Sequence, residues 1–487
     1  MAGEVFLSYL IKRYQNYINT MKKILSFMSE RWRCEGGYRE LLILSFPLIL
    51  STGAWTIQQF VDRMFLSWYS AEAIAASLPA GLLNGTITSI FIGTASLVST
   101  FVAQYYGAKR FENIGKIVWQ GLYLSIIGAI IMLLLVPFAD IFFTIAGHPQ
   151  QIAHYETVYF RILCIGAFPA IASSSLAGFF SGRGHTIPVM WMSFLQTGIN
   201  IILDYCMIFG RWGFPEMGIK GAAIATVIAT FIVFLIYLFL FTKSDFNNLY
   251  GTRKNNSPDL FLLRRLMHFG LPNGIQWAID MAGFSLFLLF VGRLGVIPLA
   301  ATNIAFNINT LAFMPMIGIG MGVSILVGQN LGKNDSFTAG RSVYSGFHIT
   351  FLYMATIALL YVLLPDIFIK PFAPRIYPGD FSEVHRIAVV LLRFIAFYSL
   401  FDTMNIIYAS ALRGAGDTRY IVKAVIIVSL FILIIPSYLA VFIFKKDVYV
   451  AWIIATMYVI ILGFTFLFRF LKGKWKKIRV IETPVIE

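Results

Sequence analysis

Apolar runs of membrane-spanning length follow one another along this chain, separated by short polar breaks. They lie at about 41–66, 77–105, 117–138, 157–181, 189–210, 220–242, 266–292, 298–328, 343–364, 385–412, 420–444 and 449–470. Inside lipid, a segment must satisfy its own backbone polar groups, so each of these twelve runs is predicted to be a helix. The longest polar break, residues 243–265, divides them six and six. The expected domain order is a basic tail (1–40), a first lobe (41–242), a linker (243–265), a second lobe (266–470) and a second tail (471–487).

Composition agrees. Charged residues are 13% of the chain, against about 25% in an ordinary soluble domain. Hydrophobic residues reach 58%, and the mean hydropathy is +0.77. A disordered chain, a collagen, a disulfide scaffold and a soluble enzyme are all excluded on these numbers. The net charge of +15 sits in the tails and alternate loops, so it reports membrane topology rather than a nucleic-acid partner. The positive-inside rule then places both termini in the cytoplasm of a multi-pass protein in the plasma (cell inner) membrane. Cys34, Cys164 and Cys206 form no paired framework, so no metal or redox cofactor is expected. In residues 1–40, Phe6, Leu10, Tyr14, Tyr17, Ile18 and Met21 recur at helical spacing. That pattern fits an interfacial amphipathic helix, a loose tail, or a chain that starts at Met21.

The halves repeat one another. At an offset of 225, Pro47, Asn84, Gly93, Gln104, Gly107 and Gly121 meet Pro272, Asn309, Gly318, Gln329, Gly332 and Gly346. At 232, Arg161 meets Arg393, and the turn Gly182-Arg183-Gly184-His185-Thr186 meets Gly414-Ala415-Gly416-Asp417-Thr418. At 230, Ile224-Ala225-Thr226 meets Ile454-Ala455-Thr456. Six helices per half give both halves one orientation. They are then related by an axis along the membrane normal, with a cavity between them, as in transporters that rock one lobe against the other. No GxxxxGK[ST] motif is present, so a pump built this way draws on an ion gradient or on a separate ATPase.

Four aspartates interrupt the apolar helices: Asp62, Asp204, Asp280 and Asp402. Each costs about 2.5–3.5 kcal/mol when ionised at a helix centre. A carboxylate escapes part of that cost by taking a proton or holding a cation, which is the chemistry of ion coupling. No lysine faces these acids, so ion pairing is short of partners. Asn200 and Asp204 share a helix face, and Thr226 on the next helix offers a hydroxyl. Gln276 lies one turn before Asp280, and Gln58 is a weaker cavity candidate. Gly318, Gly320 and Gly322 read as close helix packing. Arg161 and Arg393 read as structural. Gly414-Ala415-Gly416-Asp417 matches the GxGD of intramembrane aspartyl proteases, but Asp417 falls in a basic turn between Arg413 and Arg419, and its repeat partner His185 is no carboxylate.

Together, Pro47…Asp62, Gln104…Gly107, Asn200…Asp204, Gly221-Ala222-Ala223-Ile224-Ala225-Thr226, Gly270-Leu271-Pro272…Asp280 and Asp402…Leu412-Arg413-Gly414-Ala415-Gly416-Asp417-Thr418 carry a family resemblance. Over about residues 38–472 the chain resembles the multidrug and toxic compound extrusion (MATE) transporters. The resemblance implies an all-α membrane protein of twelve transmembrane helices, in two six-helix pseudo-symmetric lobes around a central cleft. It implies a secondary active exporter, not an enzyme, that antiports organic cations and amphipathic compounds against Na⁺ or H⁺; the oligomeric state is left open, with a monomer expected as the functional unit. Asp62, Asn200, Asp204 and Thr226 would line a first-lobe ion site, and Asp280 with Asp402 a second-lobe cation site. Na⁺ is expected at one of these two groups. Position 280 is often glutamate in the family, and here it is one methylene shorter. The alternative reading is a lipid-linked oligosaccharide flippase of a related two-lobe fold, which would favour cationic cavity residues.

Overall fold

The computed structural model describes residues 29–145, 147–372 and 381–482, and among them the regular structure is helical throughout. The expected amphipathic stretch within residues 6–21 lies outside the described residues. Among the described residues, eleven helices are long and apolar enough to cross a membrane, and one bent pair makes twelve. We number them α1 (Tyr38–Tyr69), α2 (Ala71–Gly107), α3 (Glu112–Ile145), α4 (Gln150–Ile165 and Ala167–Gly182), α5 (Ile187–Phe209) and α6 (Ile219–Phe241). The second half supplies α7 (Leu260–Gly292), α8 (Val296–Gly332), α9 (Ser336–Leu363), α10 (Phe381–Ala415), α11 (Thr418–Ile443) and α12 (Val448–Leu471). All twelve expected segments are present, and most extend beyond the apolar runs because polar turns of the same helices emerge from the lipid.

Two helices are less regular than hydropathy implied. The α4 helix bends by 44° at Gly166. Pro169 has no N–H to offer the Ile165 carbonyl four residues back, so the ladder breaks there. The α11 helix widens into π-helical turns at Ser429–Ile434 and Leu439–Ile443, on either side of Pro436.

Side-chain packing shows where the lobes join. One continuous core crosses both halves, from Leu41, Phe101 and Phe179 to Leu326, Leu412 and Trp475. Its second-half members all lie toward the end that carries the basic turns, hereafter the basic face. Toward the opposite face the cores separate. Phe287, Ala305, Leu391 and Trp452 form one within the second half, and Phe65, Ala76 and Ile208 form another within the first.

The join is made reciprocally, as the repeat requires. A Cβ on Gly93 would stand 2.7 Å from the Gly274 Cα, and one on Gly318 2.7 Å from the Ile49 nitrogen. Gly107 packs on the Gln329 carbonyl, and Gly332 on the Gln104 carbonyl. In each pair, both members are repeat equivalents of the other pair. Gly318 and Gly322 press on α1 and Gly320 on α10, the close packing expected of this run. Gly184 and Gly416, also equivalent, hold φ of +85° and +95° in the basic-face turns, a region glycine enters without a Cβ penalty.

The linker and the second tail are both docked. Trp119 donates to the Thr252 carbonyl (2.7 Å), Asn255 to the Glu112 carbonyl (3.2 Å), and the Asp259 N–H to Gln120 Oε1 (3.1 Å). The Arg183 guanidinium lies 3.8 Å from the Phe179 ring centre and 4.7 Å from that of Phe246 in the linker. Past α12, Trp475 is buried against Phe470. Arg265 donates to the Val480 and Ile481 carbonyls, while Tyr105 donates to the Glu482 carboxylate at 2.8 Å.

Gly274→Val is expected to abolish recovery of folded, monodisperse protein, since its Cβ would overlap the Ile90 carbonyl of α2. Gly198→Ala, which meets nothing within 4 Å, is expected to leave yield and thermal stability close to wild type. Size-exclusion profiles and thermal melts in detergent check both.

Candidate functional site

The singled-out residues fall into two groups. In the first half, α1 carries Gln58 and Asp62, α5 carries Asn200 and Asp204, and α6 carries Thr226. Gln58, Asn200 and Asp204 are buried, and Asp62 and Thr226 are half-buried. The Asp62 and Asp204 carboxyls lie within hydrogen-bonding reach of one another. Asn200 Nδ2 donates to Thr226 Oγ1 (3.3 Å), whose hydroxyl donates in turn to the Ala222 carbonyl (3.0 Å). Tyr159 of α4 is close enough to feel both carboxyl charges.

Four oxygens remain here with no donor among the described residues: Asp62 Oδ1, Asn200 Oδ1 and both carboxylate oxygens of Asp204. Two carboxylates this close cannot both stay bare anions in a low-dielectric bundle. A shared proton meets the constraint, and so does a small hard cation, which prefers oxygen donors of this kind.

In the second half, Gln276 and Asp280 on α7 and Asp402 on α10 line a cavity of about 620 Å³, whose wall also includes Ser96, Ser174 and Ser181 of the first half. Asp280 is exposed into the cavity, and Asp402 is buried behind it. Gln276 Nε2 donates to Asp280 (3.3 Å), and Asn405 Nδ2 to Asp402 (3.0 Å). Trp277, Phe284, Phe306, Trp452, Tyr398 and Tyr458 give the wall its aromatic character. The first-half group does not line this cavity.

The expectation that the acids lack a cationic neighbour is corrected here. Arg413 does not sit in the basic turn beside Asp417. It belongs to the last turn of α10 and points into the cavity, where it interacts electrostatically with Asp280. Its Nε donates to Asn273 Oδ1 (2.7 Å) and its Nη2 to Gln276 Oε1 (3.4 Å). Asn273 donates across the lobes to the Gly93 carbonyl at 2.6 Å. A polar chain therefore runs from the lobe crossing to Asp280. Sequence reasoning missed Asn273, Arg413 and Asn405. Asn405 lies three residues after Asp402 on one helix face and was findable by spacing. Arg413 looked like a loop cation because α10 was expected to end at 412.

The protease motif is accounted for. Asp417 is paired with Arg469 (2.7 Å). Burial and the neighbouring Arg183 push the His185 imidazole below its usual pKa. Arg161 is paired with Asp140 at 2.6 Å, in keeping with a structural role.

A multi-pass helical protein with two repeat-related lobes and a charged cavity between them is of the transporter class. The MatE family model matches residues 47–206 and again 272–439. The chain belongs to this family, the MATE transporters, and is therefore a transporter and not an enzyme. It is 26% identical over 453 residues to a probable multidrug resistance protein NorM of Thermotoga maritima, covering 91% of this chain and 94% of that one. To the Pseudomonas putida protein of the same name it is 29% identical over 388 residues, 78% and 82% of the two chains. Among solved structures, an outward-facing multidrug resistance MATE family transporter superimposes with a TM-score of 0.82 at 19% identity, covering 92% and 98%. A MOP superfamily transporter from Pyrococcus furiosus gives 0.82 at 20%, with the same coverage. At such identities the structural likeness speaks for the fold.

Arg413→Leu would strip Asn273 and Gln276 of a charged donor. It is expected to lower stability by about 1–3 kcal/mol, seen as a reduced melting temperature of purified protein in detergent.

Proposed function

We propose that this transporter is a secondary active multidrug exporter. It exchanges organic cations and amphipathic compounds for Na⁺ or H⁺, in the plasma membrane, with its basic face and both termini in the cytoplasm. The observation that carries the proposal is the pairing of a donor-poor carboxylate cluster in one lobe with an acidic, aromatic-walled cavity beside the other. The names of the NorM relatives point the same way. On this reading residues 41–242 and 266–470 are the two moving lobes, and the functional unit is a monomer.

The mechanism follows from where charge is stable. With the basic face closed, the central cavity is reached from outside. Asp62 and Asp204 face each other with few donors, so they take up a proton or Na⁺ within the first lobe, with Asn200 and Thr226 oxygens beside them. Binding removes the repulsion between the two carboxylates and lets α1 and α5 close together. A cationic drug rests against Asp280 and Asp402, over aromatic faces that attract positive charge. Closure around the loaded ion changes the wall shared by the lobes, and the drug leaves to the outside. Among the described residues lining the cavity, Arg413 is the one cation. The acids outnumber it, which favours cationic cargo over the anionic pyrophosphates of a flippase.

The test is efflux of a cationic dye from proteoliposomes, with Na⁺ and proton gradients imposed separately. Asp62→Asn and Asp204→Asn are expected to abolish ion-driven efflux while the protein still inserts. Asp280→Asn and Asp402→Asn are expected to weaken dye binding by about tenfold each. Wild-type efflux rates in both first-lobe variants would overturn the coupling assignment.

A further inference from the structure

The repeat-related glutamines Gln104 and Gln329 cross from one lobe to the other at the basic face. Gln104 Nε2 donates to the Gly414 carbonyl (3.1 Å), and Gln329 Nε2 to the Gly182 carbonyl (2.9 Å). Gly182 and Gly414 are themselves repeat equivalents, so each glutamine grips the matching turn of the other lobe. We infer that these two amides form a paired inner gate, and that the route through it passes Gln329 rather than Gln104. This inference rests on the transport reading above.

Two observations select the Gln329 side. The first is a second cavity of about 450 Å³, lined by Leu44, Gly184, Leu326 and Gln329 together with the charged segment before α1. Ser181 and Ile325 line the central cavity instead. Ile325 and Leu326, consecutive on α8, line the central and the second cavity respectively, so the partition there is no more than one turn of α8 thick. The Gln329–Gly182 hydrogen bond lies within that partition.

The second is an asymmetry. The positions equivalent to Leu44 and Gly184 are Phe269 and Gly416. There the chain's own tail fills the space, with Val480 and Ile478 packed on Gly416 and the Val480 N–H donating to Gln104 Oε1 at 2.9 Å. The tail occupies the pseudo-symmetric counterpart of the second cavity. Among the described residues, one of two equivalent approaches is plugged, and the other leads to Gln329.

Spin labels at Glu112→Cys and Phe337→Cys, both exposed and repeat-equivalent on the basic face, report lobe separation there by double electron–electron resonance. The protein is in nanodiscs, with its three native cysteines replaced by serine. Gln329→Met, close in size and lacking the donor, is expected to raise the ratio of separated to closed lobes roughly 2- to 10-fold, the effect of one net hydrogen bond. Gln104→Met, backed by the tail, is expected to raise it less. Gln329→Asn keeps the amide but is a methylene too short to reach Gly182, and should move the ratio in the same direction, which assigns the shift to the lost bond rather than to the packing of Met. Gln196→Leu, which loses a bond to Thr230 within one lobe, should leave it unchanged. Distance distributions unmoved in all Gln104 and Gln329 variants, or moved equally by Gln196→Leu, overturn the gate. Dye efflux by the wild type separates the two ideas. Efflux with unmoved distances rejects the gate and keeps the transporter reading. Moved distances without efflux under either gradient keep the gate and reject that reading.

Discussion

Backbone touching backbone where the two lobes cross is the constraint on which the rest of the molecule depends. Gly93 against Gly274, and Gly318 against Ile49, leave no room for a β-carbon. At that separation carbonyls and glutamine amides of opposite lobes come within hydrogen-bonding range, and the lobes share one core. Toward the other face the buried side chains fall into separate first-half and second-half cores. The wedge between the lobes begins where their shared core ends.

That wedge sets the electrostatics. Asp280 opens to the cavity and is held by Gln276, while Asp402 is buried and held by Asn405. The first-lobe carboxylates sit away from the cavity, with few donors. The two acidic groups thus differ in hydration as well as position. The chain from Gly93 through Asn273, Arg413 and Gln276 gives the lobe crossing a physical connection to the cavity acid.

Most of the fold was legible in the sequence, because hydropathy and the lipid requirement leave few choices for a run of twenty apolar residues. The repeat was legible too, and its offsets reappear as reciprocal contacts. The bend at Gly166 and the π-helical turns of α11 were not, because hydropathy is blind to a missing N–H inside an apolar run. Within the site, Asn200 and Asp204 could be grouped from helix periodicity, and Thr226 only as a hydroxyl offered by the next helix. That Asp62 meets Asp204 depends on α1 packing against α5, which no local pattern encodes. Arg413 was misread because a cation at a helix end looks the same on paper whether it reaches into water or back into the protein.

The 243–265 segment is long in sequence but mechanically short. Trp119 and Gln120 hold its backbone, the Glu112 carbonyl accepts from its Asn255 side chain, and Arg183 stacks on its Phe246 and Tyr250, so the segment rides as cargo on the first half. The flexure left between the halves on this strand is concentrated where Asp259 caps α7. The halves are therefore coupled by a pivot rather than a tether, and any swing of one against the other must turn about that corner.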